Sequence, residues 1–108
     1  MQNKIITSTA KTSFVDFAPT FVEYTDKILF GDVWRRENLP LRDRSLITIG
    51  ALIAGEHTNQ LPYHFKLAKE NGILQKEIIE IITHLAFYVG WPRAASAMQI
   101  AKEIFVEN

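Results

Sequence analysis

A histidine among apolar residues is the feature of this sequence best suited to chemistry. On a helical wheel of residues 60–72, Gln60 lies one turn before His64 and Asn71 two turns after it. The arc around His64 is otherwise apolar and contains Leu61, Tyr63, Phe65, Leu67 and Ala68. A histidine placed there loses hydration and must find partners, and it can transfer protons near neutral pH without large tuning. The pattern is typical of a proton-transfer residue or of a histidine satisfied within a core or an interface.

A second histidine and a glutamate precede this segment. His57, Gln60 and His64 have the spacing i, i+3, i+7, which places them on one edge of a helix if that helix extends back to residue 57. Together with Glu56 they suggest a metal site. However, a predicted N-cap at Asn59 leaves His57 in the preceding turn, and no HExxH pattern is present. We therefore predict no metal and no cofactor, and interpret these residues as one polar pocket.

Three arginines are candidates for binding a carboxylate. Arg42 and Arg44 flank Asp43 at the start of an apolar segment, and Arg93 follows Trp91 closely. A guanidinium group matches a carboxylate with two parallel hydrogen bonds. The alternative for Arg42 and Arg44 is an ordinary helix start stabilised by salt bridges. No glycine-rich phosphate loop, nucleophile elbow or zinc-finger pattern is present.

Two residues of a later segment lie away from its apolar side. His84 follows Glu80 by four residues, which predicts a surface or interface pair worth little to stability. Phe87 lies nearly opposite the apolar side, beside Tyr88 and close to Trp91. An aromatic residue there indicates a second covered surface, and self-association explains it most simply.

Helices must position these residues. The apolar periodicity predicts helices over about 19–30, 44–54, 60–71 and 75–89, with a last one starting at Pro92. The first helix is predicted to carry Phe21, Tyr24, Thr25, Ile28 and Leu29 on one side. The segment 44–54 is apolar on nearly every side, so we expect the N-terminal arm or another subunit to cover it. No alternating strand is convincing, and the fold class is all-α with antiparallel neighbouring helices.

Composition limits the remaining possibilities. The chain has 108 residues, of which 1–16 are predicted to be a flexible or partner-covered arm and 17–108 a single helical domain. Its 12 lysines and arginines balance its 12 aspartates and glutamates, which argues against a nucleic-acid or membrane partner. There is no cysteine, residues 1–10 lack the apolar core typical of a signal peptide, and no apolar run approaches the ~20 residues of a membrane span. We predict a cytoplasmic protein.

Four segments resemble the carboxymuconolactone decarboxylase family. They are residues 42–49, 60–64, 70–72 and 87–92, and the resemblance extends from about residue 17 to 106. It implies the alkylhydroperoxidase D-like fold, an all-α bundle of about five to six helices. Members of this family assemble as homo-trimers or homo-hexamers with active sites near subunit contacts, so the resemblance implies the same here.

The resemblance also separates two chemistries. One branch of the family reduces disulfides or peroxides through a Cys-x-x-Cys-x-x-x-His motif, whose histidine falls on His64 and whose cysteines fall on His57 and Gln60. Neither residue can cycle through a disulfide, which disfavours this branch. The other branch decarboxylates a carboxylated muconolactone in aromatic-acid catabolism and needs no cysteine.

The resulting hypothesis is a cofactor-free lyase or isomerase that acts on a small carboxylated lactone or a related acid. His64 would transfer a proton, Gln60 would orient it, and Arg44 would hold a carboxylate. The other predicted substrate-binding residues are Arg42, Glu56, His57, Tyr63, Tyr88 and Trp91. The main alternative is a non-catalytic oligomeric protein that binds small molecules on the same scaffold. A peroxidase would need a thiol from elsewhere, and charge balance disfavours a DNA-binding module.

Overall fold

The described part of the chain consists of helices joined by turns. The computed structural model describes residues 14–106, in which no strand occurs, and the predicted all-α fold is confirmed. The α-helices are α1 (Pro19–Glu23), α2 (Leu41–Ala54), α3 (Leu61–Glu70), α4 (Gln75–Val89) and α5 (Trp91–Phe105). A π-helical segment (Tyr24–Leu29) continues α1, and a 3₁₀ turn (Val33–Arg35) follows it. Within residues 14–106, none of the helices has the length and apolarity needed to cross a bilayer.

The chain divides into two compact units between Leu41 and Arg42. Of the predicted N-terminal arm, residues 1–13 lie outside the described part of the chain, and residues 14–16 are exposed. In the first unit the rings of Phe30 and Trp34 lie 5.8 Å apart, and both side chains are buried.

The first predicted helix is regular only at its start. Of the five residues predicted to share one of its sides, Phe21, Tyr24, Ile28 and Leu29 are exposed, and Val22 is the buried residue of α1. The prediction assumed 100° per residue along the whole segment. The backbone instead widens after Glu23, and the N–H of Phe30 bonds to the carbonyl of Thr25, five residues earlier. A π-helical turn rotates less per residue, so the 3.6-residue period does not describe it.

The second unit has one hydrophobic core, to which α2, α3, α4 and α5 all contribute. At its centre the rings of Phe65 and Phe105 meet edge to face at 6.1 Å. Phe65 is fully buried, and burial of a side chain of this size contributes about 2–3 kcal/mol. The helices α3 and α4 both pack on α5, whose core positions near its start are alanines that allow close approach. The other buried core residues are Ile49, Ile53, Leu61, Ala68, Ile73, Ile78, Ile82, Ala86, Ala94, Ala97, Ala101 and Ile104.

Glycine and proline set the helix boundaries of this unit as predicted. Gly72 and Gly90 adopt φ values of 98° and 100°, which L side chains rarely adopt, and they end α3 and α4. Pro62 and Pro92 lie in the first turns of α3 and α5, where a missing N–H is harmless. The predicted N-cap at Asn59 is wrong. Gln60 precedes α3 in a helical conformation without a side-chain cap, because the preceding turn already directs the chain into the helix.

The helix α2 is covered on one side by the described residues. Ile49 and Ile53 are buried, whereas Ile47 is 60% exposed. The helix begins at Leu41, directly after Pro40 and three residues earlier than predicted, and Asp43 occupies its first turn as expected. An acidic side chain in that place stabilises the positive end of the helix dipole.

Candidate active site

His64 lies at the edge of the core because of its place on α3. The helix buries Leu67 and Ala68, and the imidazole falls between these two positions on the wheel. The side chain is therefore partly buried, and its Nδ1 atom is inaccessible to solvent. The ring of Tyr63 stands perpendicular to the imidazole, with their centroids 5.0 Å apart. This burial confirms the predicted position of His64 on the apolar arc.

Burial also sets the charge of this histidine. Loss of hydration lowers the pKa of His64 to about 4, so the imidazole is neutral near pH 7. A neutral imidazole carries one N–H donor and one nitrogen acceptor. Burial, and to a smaller extent the negative charge of Glu70, raises the pKa of Tyr63, which keeps that phenol protonated. The pair is thus uncharged at neutral pH and can exchange hydrogen bonds or a proton with a bound molecule.

The turn between α2 and α3 carries His57 and Gln60 outside the helix. Backbone hydrogen bonds continue through it from the amide of Gln60 to the carbonyl of His57, and from the amide of His64 to the carbonyl of Gln60. Both side chains are exposed. The imidazole of His57 lies over Gly55, and a Cβ on that glycine would approach its Nε2 to 2.5 Å. A glycine at position 55 therefore leaves room for this ring.

Glu56 reaches from the same turn to the start of α5. Its Oε1 lies 3.7 Å from an Nη2 of Arg93, whose Nη1 donates to the carbonyl of Val89 at 3.3 Å. Glu56 has a φ of 60°, and no other non-glycine residue among positions 14–106 has a positive φ. Of the predicted polar residues, the structure thus places Glu56 beside Arg93 and Tyr63 beside His64.

The two arginines at the start of α2 have different surroundings. Arg42 forms a salt bridge with Glu77 of α4. Glu77 also accepts the amide of Leu74 at 2.9 Å, and chiefly this bond, then the one from Arg42, holds the pKa of Glu77 below its usual value. Arg42 therefore has a resident carboxylate partner. Arg44 lies two residues further along α2 and is partly exposed.

A buried hydrogen bond links α2 to the end of α3. Asn71 donates from Nδ2 to Oγ of Ser45 at 3.0 Å, and Ser45 is fully buried. Asn71 was placed on the polar side of α3 from its spacing to His64, but nothing in the sequence pairs it with Ser45. The two residues are 26 positions apart, and the hydrogen bond joins α2 to the residue that follows α3.

The predicted aromatic walls lie on the exposed side of α4 and α5. Tyr88 is 76% exposed and Trp91 is 67% exposed. Tyr88 packs on the ring of His84 at 5.0 Å, in place of the predicted pairing of His84 with Glu80. Phe87 meets Trp91 edge to face at 6.5 Å and is 80% exposed.

Two grooves of the second unit lie away from His64. The larger has a volume of about 620 Å³ and runs between α4 and α5, with Trp91 at one end and Val106 at the other. Its walls are mostly apolar, with Ile78, Ile82, Ala94, Met98 and Phe105 among them. The second, of about 500 Å³, lies between α3 and α5 and is lined by lysines and glutamates beside Ile100 and Ile104. Sequence reasoning predicted neither groove.

The histidines and acidic residues do not gather into a metal-binding group. Within residues 14–106, no three histidine, aspartate or glutamate side chains are placed so that they could hold one ion. Glu56 lies beside Arg93, and the ring of Tyr63 lies beside His64.

Comparison with known proteins identifies the family of this chain. The sequence profile of the carboxymuconolactone decarboxylase family matches residues 19–103. The chain belongs to this family. The match contains α2 to α4, most of α5, the turn with Glu56 and His57, and both His64 and Arg93.

Individual family members extend the comparison. The chain is 36% identical over 90 residues to a 4-carboxymuconolactone decarboxylase of Acinetobacter baylyi, covering 83% of this chain and 67% of that protein. It is 35% identical over 74 residues to a nitrosuccinic acid decarboxylase of Metarhizium robertsii, covering 68% of this chain and 52% of that protein. An uncharacterized 15.0 kDa protein of Paracoccus denitrificans is 31% identical over 92 residues, covering 83% and 69%. The chain thus spans about half the length of the second relative.

Proposed function

We propose that this protein decarboxylates small acids that carry two carboxylates, with His64 as the proton-transfer residue. The observation that carries the proposal is the partly buried, neutral imidazole of His64 on α3, beside Tyr63. Perturbed histidines of this kind are enriched at catalytic sites. The names of two family relatives, a 4-carboxymuconolactone decarboxylase and a nitrosuccinic acid decarboxylase, support the reaction class.

The two compounds in those names share a chemical plan. Each carries two carboxylates, one of them on a carbon next to a group that withdraws electrons. When carbon dioxide leaves that carbon, the electron pair of the broken carbon–carbon bond spreads into the unsaturated lactone or into the nitro group. One proton must then be added to give the neutralised carbon. Such a reaction needs a place for negative charge and a proton donor, and it needs no redox partner.

His64 can provide both functions in turn. As a neutral imidazole it donates one N–H to the negative charge that develops in the transition state. The carboxylates of a bound acid raise the pKa of a nearby histidine, because they favour its charged form. The imidazole can then take a proton from solvent and pass it to the carbon that lost carbon dioxide. General acid catalysis of this kind contributes about 10²–10⁴-fold.

The remaining predicted residues divide by their surroundings. We assign a substrate carboxylate to Arg44 of α2, as the sequence hypothesis does, and the salt bridge of Arg42 with Glu77 ties α2 to α4. Gln60 precedes α3, and its exposed amide can orient a substrate oxygen. Tyr63 limits the space on one side of His64. For Tyr88 and Trp91 we propose a wall that forms only in an oligomer, because both are exposed in the single chain.

We further propose that the chain works as a homo-trimer or homo-hexamer whose subunits complete the site. Three exposed aromatic residues follow one another at the end of α4 and the start of α5, namely Phe87, Tyr88 and Trp91. The larger apolar groove is continuous with them through Trp91. Exposed apolar patches of this kind on a soluble domain mark interaction sites. A second copy would also enclose the exposed turn that precedes His64.

The experiment is substrate-dependent release of carbon dioxide from 4-carboxymuconolactone and from nitrosuccinate. We expect turnover by the wild-type chain and a loss of about 10²–10⁴-fold in kcat/KM for His64→Gln. The matched control is His84→Gln, an exposed histidine on α4, which should retain kcat/KM within about twofold.

Two results would contradict the proposal. One is a folded His64→Gln protein with the wild-type rate. The other is saturable thermal stabilisation by both acids without any carbon dioxide, which would instead favour a non-catalytic binding protein.

A further inference from the structure

The ion pair between Glu56 and Arg93 joins two distant parts of the chain. Arg93 lies in the first turn of α5, and Glu56 lies in the turn between α2 and α3. Their closest charged atoms are 3.7 Å apart, beyond the range of a hydrogen bond. By comparison, Arg36 and Asp32 are joined by two hydrogen bonds of 3.0 and 3.1 Å. Arg93 is thus held near a carboxylate without being fully engaged by it.

The other contact of Arg93 fixes its direction. Nη1 donates to the carbonyl of Val89, at the end of α4, at 3.3 Å. This bond holds one edge of the planar guanidinium group, and the side chain remains 44% exposed. A guanidinium group has five N–H donors in a fixed plane, so donors remain for a second acceptor. A ligand carboxylate can approach this side chain with the geometry of a two-bond pair.

Glu56 adopts an unfavourable backbone conformation in order to stand there. Its φ of 60° is in the left-handed region, which disfavours residues with a Cβ. A glycine at position 56 would adopt this φ without strain. The preceding residue of the same turn, Gly55, is a glycine. Backbone outliers held in place by the surrounding fold cluster at ligand sites. The carboxylate at position 56 therefore has a use other than helping the turn to form.

The position of the pair connects it to the candidate active site. Glu56 immediately precedes His57, and backbone hydrogen bonds continue from His57 through Gln60 to His64. A carboxylate that displaces Glu56 from Arg93 would therefore act on the turn that leads into α3. A guanidinium group binds carboxylates. An acid with two carboxylates, the substrate class of the proposed reaction, loses one as carbon dioxide and keeps the other, which Arg93 can bind.

We propose that Arg93 binds the carboxylate that the substrate keeps after carbon dioxide leaves. In the free protein Glu56 pairs with Arg93, and the substrate carboxylate displaces Glu56 when it binds. This inference rests on the proposed function for the identity of the acid. Arg93 is then a specificity-determining residue that separates acids with two carboxylates from acids with one. Glu56 lowers the affinity for every such acid, because its own carboxylate competes for the same guanidinium group.

The test uses two substitutions that should change affinity in opposite directions. Arg93→Gln removes the cation and should raise the Kd for succinate by about tenfold or more. Glu56→Gln removes the competitor and should lower that Kd several-fold. Arg93→Lys should bind with intermediate affinity, because an ammonium group cannot form the planar two-bond pair. Arg36→Gln, which breaks the pair with Asp32 in the other unit, is the control and should leave the Kd unchanged.

Binding is measured calorimetrically on the full chain, with succinate and butyrate as ligands, neither of which carries the electron-withdrawing group that the proposed reaction needs. Succinate and butyrate have the same chain length but two carboxylates and one, and only succinate should depend on Arg93. Circular dichroism identifies any variant that does not fold. If Arg93→Gln does not fold, the result from Arg93→Lys is used instead. Equal Kd values for Arg93→Lys and wild type would then overturn the proposal.

The outcomes separate this inference from the proposed function. Opposite shifts in Kd without carbon dioxide release would support the role of Arg93 and contradict the decarboxylase activity. Turnover with Kd values that do not respond to Arg93→Gln would support the activity and overturn the role of Arg93. Kd shifts in the same direction for Arg93→Gln and Glu56→Gln would also overturn the role of Arg93. If the ion pair only stabilised the fold, either substitution would remove the same interaction and have the same effect.

Discussion

Among single residues, His64 links the stability of the fold to pH. Its pKa is about 4 in the folded protein and 6.5 as an ordinary histidine. Between these values the unfolded chain binds more protons than the folded one, so the free energy of unfolding falls as the pH is lowered through this window. A shift of this size corresponds to about 3 kcal/mol, which partial contact with solvent reduces to about 1–2 kcal/mol.

This effect can be measured by replacing the histidine. His64→Gln should remove most of the loss of stability between about pH 6.5 and about pH 4, whatever its effect at neutral pH. Urea unfolding at several pH values gives the slope, and His84→Gln serves as the exposed control. A slope as steep in His64→Gln as in the wild type would mean that other groups cause the acid sensitivity.

The sequence predicts single residues well only when their partners are local. The position of His64 follows from the arc formed by its neighbours on one helix, and its burial agrees with that position. The contacts of Glu56 with Arg93 and of Ser45 with Asn71 join residues 37 and 26 positions apart. Such pairs depend on how helices pack, which composition and periodicity do not specify.

At the scale of elements, two glycines with different surroundings allow a matched test. A Cβ on Gly31 would approach the carbonyl oxygens of Asp26 and Lys27 to 2.6 and 2.7 Å. A Cβ on Gly50, within α2, would meet nothing within 4 Å. We expect Gly31→Ala to destabilise the protein by about 1–3 kcal/mol, and Gly50→Ala to stabilise it by about 0.5–1 kcal/mol.

Thermal and urea unfolding of both glycine variants provide the measurement. The comparison is clean because the same methyl group is added at both positions. If Gly31→Ala is as stable as the wild type, the close approach of Gly31 to the carbonyl oxygens of Asp26 and Lys27 is not formed in solution. A loss of stability in Gly50→Ala would instead indicate that another chain covers this side of α2.

The helices themselves were largely predictable, and the failure at residues 19–30 has a local cause. For α3 and α4 both predicted boundaries agree with the structure to within one residue, as does the predicted start of α5, because glycine and proline stand there. The segment 19–30 was expected to be one regular helix. Its π-helical second half changes which side chains share a face, and apolar spacing does not reveal that change in period.

At the scale of the whole molecule, the exposed aromatic residues of α4 and α5 predict self-association. Phe87→Glu places a charge at a position that is 80% exposed in the single chain and should cost little in the monomer. If this surface is a subunit contact, the substitution should weaken association by about tenfold or more. Sedimentation velocity over a range of concentrations measures the effect.

The control for the aromatic surface is Lys76→Glu. It also introduces a glutamate, at an exposed position near the start of α4. It should leave the sedimentation coefficient unchanged. A wild-type chain that sediments as a monomer at all concentrations would contradict the proposed oligomer. It would also remove the subunit contact that we assign to Tyr88 and Trp91.

The two tryptophans differ sharply in their access to water, and this gives the protein its own optical signal. Trp34 is 5% exposed, whereas Trp91 is 67% exposed and stands at one end of the apolar groove. Acrylamide or iodide would therefore quench the fluorescence of Trp91 and largely spare that of Trp34. Any molecule that occupies the groove, including another copy of the chain, would shift the emission to shorter wavelength without a label.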